Sequence, residues 1–132
     1  MKQTSGKNVS GKNVSGAVLF RWSEQADDHP MPLLARKRVI GAQAMISRVL
    51  LKEGCDVPTH AHENEQFACV MSGKVRFGIG AEGTSARREL ILGPDEVLHL
   101  PANVPHSAHA IEDTLILDIF SPPSEKTGID RK

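Results

Sequence analysis

Two histidines stand two residues apart in Thr59-His60-Ala61-His62, and a glutamine follows at Gln66, just ahead of the apolar run Phe67-Ala68-Cys69-Val70-Met71. Side chains of an extended chain alternate between faces, so His60 and His62 project from the same face. Gln66 rejoins that face from the start of the next strand. Three nitrogen and oxygen donors then converge on one point, which is how a metal site begins.

The elements that position these donors follow from composition and punctuation. A chain of 132 residues suits one domain with a modest core of its own. Sixteen basic residues balance sixteen acidic ones, so no overall field favours nucleic acid or anionic lipid as a partner. No apolar run approaches the ~20 residues of a membrane helix, and no signal-peptide stretch follows the N-terminal lysine. Two cysteines, Cys55 and Cys69, do not make a disulfide framework, and the reading is a cytoplasmic protein.

Residues 1–16 read as a disordered tail or a short added strand, because the tandem GKNVS at 6–10 and 11–15 offers almost nothing to bury. From Ala17 onward, short candidate strands recur at 17–22, 42–52, 65–71, 74–80, 86–92, 96–100, 106–112 and 114–120. Turn residues separate many of them, among them Gly54, Gly73, Gly80 and Gly93-Pro94-Asp95. This spacing predicts an all-β sandwich or barrel over 17–132.

A fourth donor is needed, and the segment GPDEVLHLPANVPHSAHA (93–110) contains three histidines, of which His106 opens a strand after the proline-bracketed turn Pro101–Pro105. His99, between Leu98 and Leu100, reads as a satisfied histidine inside the barrel, and His109 as a surface or interface residue. His29, before Pro30, reads as a solvated loop residue; Cys55 and Cys69 read as small buried hydrophobes.

At this point the pattern becomes familiar. Gly54, His60-Ala61-His62, Gln66 and Gly73 resemble the first motif of the cupin superfamily, and Gly93 through Pro101, Asn103 and His106 resemble the second, nineteen residues (74–92) lying between them. The resemblance implies a double-stranded β-helix, a jelly-roll barrel, holding one divalent ion through His60, His62, Gln66 and His106. Gln66 departs from the family's common glutamate, leaving the site one negative charge short, which raises the Lewis acidity of a bound ion. Zinc, nickel, iron, manganese and cobalt all suit three imidazoles.

Leu115-Ile116-Leu117-Asp118-Ile119-Phe120-Ser121-Pro122-Pro123 adds a second clue. Alternation puts Ile116, Asp118 and Phe120 on one face, so a carboxylate interrupts an otherwise apolar strand. A buried carboxylate suits general acid/base work. This ending, with a His, His, Gln, His site, resembles the KdgF-type pectin-degradation cupins, which linearise unsaturated uronate sugars; the resemblance places Asp118 and Phe120 beside the metal. Ser124 stands where that subgroup often carries an arginine for the substrate carboxylate, and Arg76, Arg87, Arg88 and Lys126 are the candidate replacements.

Three function classes follow: a metal-dependent lyase or isomerase acting on a small sugar acid, an iron or manganese dioxygenase, and a non-catalytic module that binds a small ligand or metal. The expected partners are a small-molecule substrate and a second copy of the chain. In that homodimer the edge strand Ala17–Trp22 extends a neighbour's sheet and buries Trp22.

Overall fold

The computed structural model describes residues 11–127 and 129. Their regular structure is twelve strands and one 3-10 turn, Trp22–Glu24. The strands are β1 (Lys12–Val14), β2 (Ala17–Leu19), β3 (Asp28–Met31), β4 (Leu34–Ile40), β5 (Met45–Leu51) and β6 (Asp56–His60), then β7 (Glu65–Ser72), β8 (Val75–Ile79), β9 (Arg88–Leu92), β10 (Val97–Leu100), β11 (His106–Ala110) and β12 (Thr114–Ser121).

Two antiparallel sheets face each other, one of six strands in the order β10-β7-β12-β5-β4-β3 and one of four in the order β6-β11-β8-β9. β1 and β2 form a separate hairpin. Period-two patterning builds the layers. In β5, Met45, Ser47, Val49 and Leu51 turn inward while Ile46, Arg48 and Leu50 turn outward. The inward sets of both sheets meet in one cluster that includes Leu34, Val49, Val70, Phe77 and Ile116. Full burial of side chains of this size stabilises the fold by ~1.5–3 kcal/mol each.

Two turns need their particular residues. Gly73, between β7 and β8, has φ +93°, and a Cβ there would lie 2.3 Å from the Asp113 carbonyl oxygen, so only glycine fits. Asn103 has φ 67°, a left-handed conformation that asparagine tolerates. Its backbone N–H donates to the His62 carbonyl at 2.8 Å, tying the two histidine-bearing segments together.

The structure differs from the sequence expectation in several places. β3, β4 and β6 lie outside the candidate strands. Arg36-Lys37-Arg38 hides β4, because alternation is read from apolar residues and here the inward position is a buried arginine, Arg36, paired with Asp28 across to β3. Of 17–22, only Ala17–Leu19 is strand, and Trp22 begins the 3-10 turn. Lys12–Val14, within the stretch read as a tail, forms β1; residues 1–10 lie outside the described residues.

Candidate metal centre and its cavity

β6 ends at His60, the following loop carries His62, and β11 begins at His106 directly opposite His60 in the register. The donor nitrogens of the three histidines lie within 4.8 Å of one another. Ring centroids are 4.4 Å apart for His60–His106, 5.1 Å for His62–His106 and 5.8 Å for His60–His62.

Backbone carbonyls fix which nitrogen of each ring faces inward. Nδ1 of His60 donates to Pro58 O at 2.7 Å, Nδ1 of His62 to Asn64 O at 3.0 Å, and Nδ1 of His106 to Val104 O at 2.9 Å. A carbonyl only accepts, so each neutral ring carries its proton on Nδ1 and turns a bare Nε2 to the centre. Nε2 of His106 is buried and has no hydrogen-bond partner. Burial pushes its pKa down to about 4, His60 and His62 add to the lowering, and the bond to Val104 opposes it. That imidazole is neutral at pH 7, the form that binds metal.

Gln66, on β7, completes the group. Its Nε2 donates to Asp118 Oδ1 at 2.9 Å, which leaves its Oε1 3.1 Å from His62 Nε2. With a neutral His62 ring and the amide so oriented, two acceptors face each other. A cation bound between them would resolve that conflict. The orphaned His106 nitrogen and this facing pair show that the residues fit a metal.

Asp118 and Phe120 project from β12 into a cavity of about 50 Å³ that His60, Gln66 and His106 also line. Burial pushes the Asp118 carboxyl up to about 7, with the Gln66 bond opposing. Phe120 is buried and meets His62 edge-on, centroids 5.6 Å apart. The remaining candidates lie elsewhere. His99 is exposed on the outer face of the larger sheet, not inside the barrel; it pairs with Glu65 at 2.7 Å and stacks on Phe67. His109 meets Asp56 at 3.1 Å on the outer face of the smaller sheet. His29 is exposed, but in β3 and not in a loop, with Nδ1 3.2 Å from Leu34 O. Both cysteines are free, Cys55 buried, and burial raises both thiol pKa values.

Arg76 and Arg87 line a separate outer groove, Arg88 is exposed on β9 and Lys126 is exposed, so none of the four stands at the cavity. Two arginines that the sequence reading passed over do face inward, Arg36 and Arg38 on β4, their side chains 3% and 11% exposed. Asn64 was also missed: it is buried, its carbonyl orients His62, and its amide donates to Pro122 O. Alternation puts both on the same face as Leu34, but no residue type along β4 marks that face as the inner one.

Paired sheets closed round a cavity, with imidazoles from two neighbouring strands and the adjoining loop at one end, define the cupin architecture. The chain belongs to the cupin family, whose cupin domain model matches residues 47–120. The structure is similar to KdgF from Halomonas sp., at 27% identity and TM-score 0.71 over 80% of this chain and 95% of that one. A RmlC-like cupin from Shewanella frigidimarina NCIMB 400 matches at 19% identity and TM-score 0.69, over 78% of this chain and 88% of that one. Oxalate decarboxylase from Bacillus subtilis matches at 20% identity and TM-score 0.72 over 82% of this chain, which spans only 30% of that protein. The last two likenesses show the fold. No curated protein sequence matches the chain.

Proposed function

We propose that this chain is a metal-dependent lyase or isomerase acting on a small sugar acid such as an unsaturated uronate. One divalent ion is held by His60, His62 and His106, with Gln66 as the fourth donor. The observation that carries the reading is Asp118, a carboxyl group with its pKa pushed up to about 7 that shares one cavity with His60 and His106. A group poised near neutral pH both gives and takes a proton readily. The 27% identity with KdgF supports the choice of substrate class.

Lewis acidity toward a substrate oxygen is the chemistry such an ion supplies when bound, and zinc, nickel, iron, manganese and cobalt are all compatible with the donors. The protein's own groups do the rest. Gln66 holds Asp118 in place through the hydrogen bond that its amide donates. Asp118 moves the proton at the substrate carbon or oxygen beside it. Phe120 walls off one side of the centre and keeps water from it.

The proposed assembly is a homodimer. The outer face of the larger sheet carries a cross-strand row, Val39, Ile46, Ile119 and Phe67, in which the last three are 37–39% exposed. The hairpin also exposes Val14, Val18 and Leu19. A second copy covers such surface. Free thiols at Cys55 and Cys69 suit a cytoplasmic location, and no helix among the described residues is long and apolar enough to cross a membrane.

The test is elemental analysis of protein purified without an affinity tag, followed by anaerobic assays on unsaturated uronates. Turnover that a chelator abolishes and that falls roughly 10²–10⁴-fold in Asp118→Asn, with metal content unchanged, is the expected result. Turnover that needs dioxygen, or none on any uronate, overturns the reading.

A further inference from the structure

His60 and His106 stand beside an irregularity in the smaller sheet. β11 pairs with β6 at His106–His60 and again at Ala108–Val57, so Pro58 and Thr59 together oppose the single residue Ser107. That is a β-bulge, in which an extra residue breaks the ladder locally. Pro58 has no N–H to give to the ladder either. The carbonyls of Pro58 and Val104 fix how the two rings point, but each acts only within its own segment. The backbone ladder between the two histidine-bearing strands is therefore interrupted one residue from both histidines.

Side chains on the outer face bridge that gap. Alternation turns Thr59 and Ser107 outward where His60 and His106 turn inward. Arg87 Nη1 donates to Thr59 Oγ1 at 3.1 Å and to Gly80 O at 2.7 Å, while its Nη2 donates to Ser107 Oγ at 2.8 Å. Thr59 in turn donates to Glu82 Oε2, an oxygen that lies 3.4 Å from Arg87 Nη2. One guanidinium thus joins β6, β11 and the residue after β8 across the bulge. Its side chain is only 18% exposed, and a planar fork with donors in fixed directions holds its partners at a set separation. The sheet leaves room for it. Gly78 on β8 pairs with Ser107, and a Cβ there would lie 2.6 Å from both Arg87 Cζ and Ser107 Oγ. The missing side chain is the slot in which the guanidinium lies.

We propose that Arg87 is a positioning residue for the metal centre: from the opposite face of the sheet it clamps Thr59 to Ser107 and so holds His60 and His106 at the separation one ion needs. Gly78 belongs to the same device. The inference rests on the reading that the three histidines bind a divalent ion. A clamp and a simple charge effect have opposite signs. A guanidinium repels a divalent cation, so its removal acting through charge alone would tighten metal binding. Loss of the clamp weakens binding, because the two ligand-bearing segments must then be ordered as the ion binds.

Titration of the metal-free full chain with cobalt(II) tests it, followed by visible absorption, which reports both affinity and coordination geometry. Arg87→Met weakens cobalt binding roughly 10-fold, the low end of the 10–100-fold lost when groups supporting metal ligands are removed, and alters the bands of the bound ion. Arg87→Lys keeps the charge, loses the fork and weakens binding in the same direction. Gly78→Ala, which pushes an otherwise intact Arg87 out of its slot, gives a like loss. Gly78→Ala and Arg87→Met combined cost no more than either alone, because they remove one device. Thr59→Val with Ser107→Ala takes away the clamped hydroxyls and serves if the arginine variants do not fold. Wild-type affinity and bands in these folded variants overturn the clamp, whatever their melting temperatures. Tighter binding in Arg87→Met also overturns it, since only charge then acts. Wild-type protein that binds no cobalt overturns the metal centre and the clamp together.

Discussion

Gln66 stands between an acid and a histidine, donating from Nε2 to Asp118 at 2.9 Å and presenting Oε1 to His62 Nε2 at 3.1 Å. One side chain thereby couples the candidate proton carrier to the candidate metal donors. An amide donates on one side and accepts on the other whatever the pH. A glutamate here would set two carboxylates against each other.

That coupling gives the first prediction. Gln66→Glu raises affinity for divalent ions, because a carboxylate binds them more strongly than an amide. It also removes the bond to Asp118 and adds a like charge, which costs about 1–3 kcal/mol in the metal-free protein. Thermal unfolding shows the metal-free variant melting several degrees below wild type and the difference shrinking on metal addition. A metal-free variant as stable as wild type would mean that Asp118 simply turns away.

The histidine centre is tested by subtraction. Replacing His62 and His106 together with alanine leaves too few donors, so elemental analysis finds no ion in the purified protein. Circular dichroism retains the β signature, because both residues sit at the end of the barrel and outside the apolar cluster. Full metal occupancy in this variant would show that the ion sits elsewhere.

Proton linkage separates His106 from Asp118 in chelated protein. The folded pKa of His106 is about 4, below its ordinary 6.5, so the unfolded chain binds the extra proton between those values and stability rises with pH across them. The folded pKa of Asp118 is about 7, above its ordinary 3.8, so the folded chain holds the extra proton and stability falls as pH rises through that window. The two slopes oppose one another from about pH 4 to 6.5. Asp118→Asn removes the falling contribution, and urea unfolding across this range then shows a steeper gain in stability with pH than in wild type. Parallel profiles for the two proteins contradict the assignment.

The proposed dimer is tested at the outer face of the larger sheet. Ile46→Lys with Ile119→Lys places two charges side by side in the exposed row where those residues pair across β5 and β12. Sedimentation at micromolar concentration gives a dimer for wild type and a monomer for this variant, with metal content unaffected. A wild-type monomer under those conditions would rule out the assembly.

Much of this molecule can be read along the chain. Alternation in Glu65–Ser72 and the apolar run of Thr114–Ser121 announce central strands, because a pleated backbone repeats every two residues whatever it packs against. Gly73 and Asn103 declare turns, because few residues accept positive φ. His60, His62 and Gln66 lie close enough in sequence for local geometry to bring them together, and His106 joins them through a strand pairing that two motifs at fixed separation imply.

Other features belong to the tertiary structure alone. Nothing local in Leu34–Ile40 says that arginines turn inward; burial of Arg36 is tolerable only because Asp28, on the neighbouring strand, neutralises it. His99 has the same neighbours as an interior residue, and which face it takes is decided by its pairing with Phe67 across to β7. Register likewise lines up Arg38, Ser47 and Asp118 from three separate strands. Side-chain type and spacing are properties of the chain, but the row in which distant residues meet is set by how strands pair. A one-residue slip in that pairing would turn every side chain to the other face.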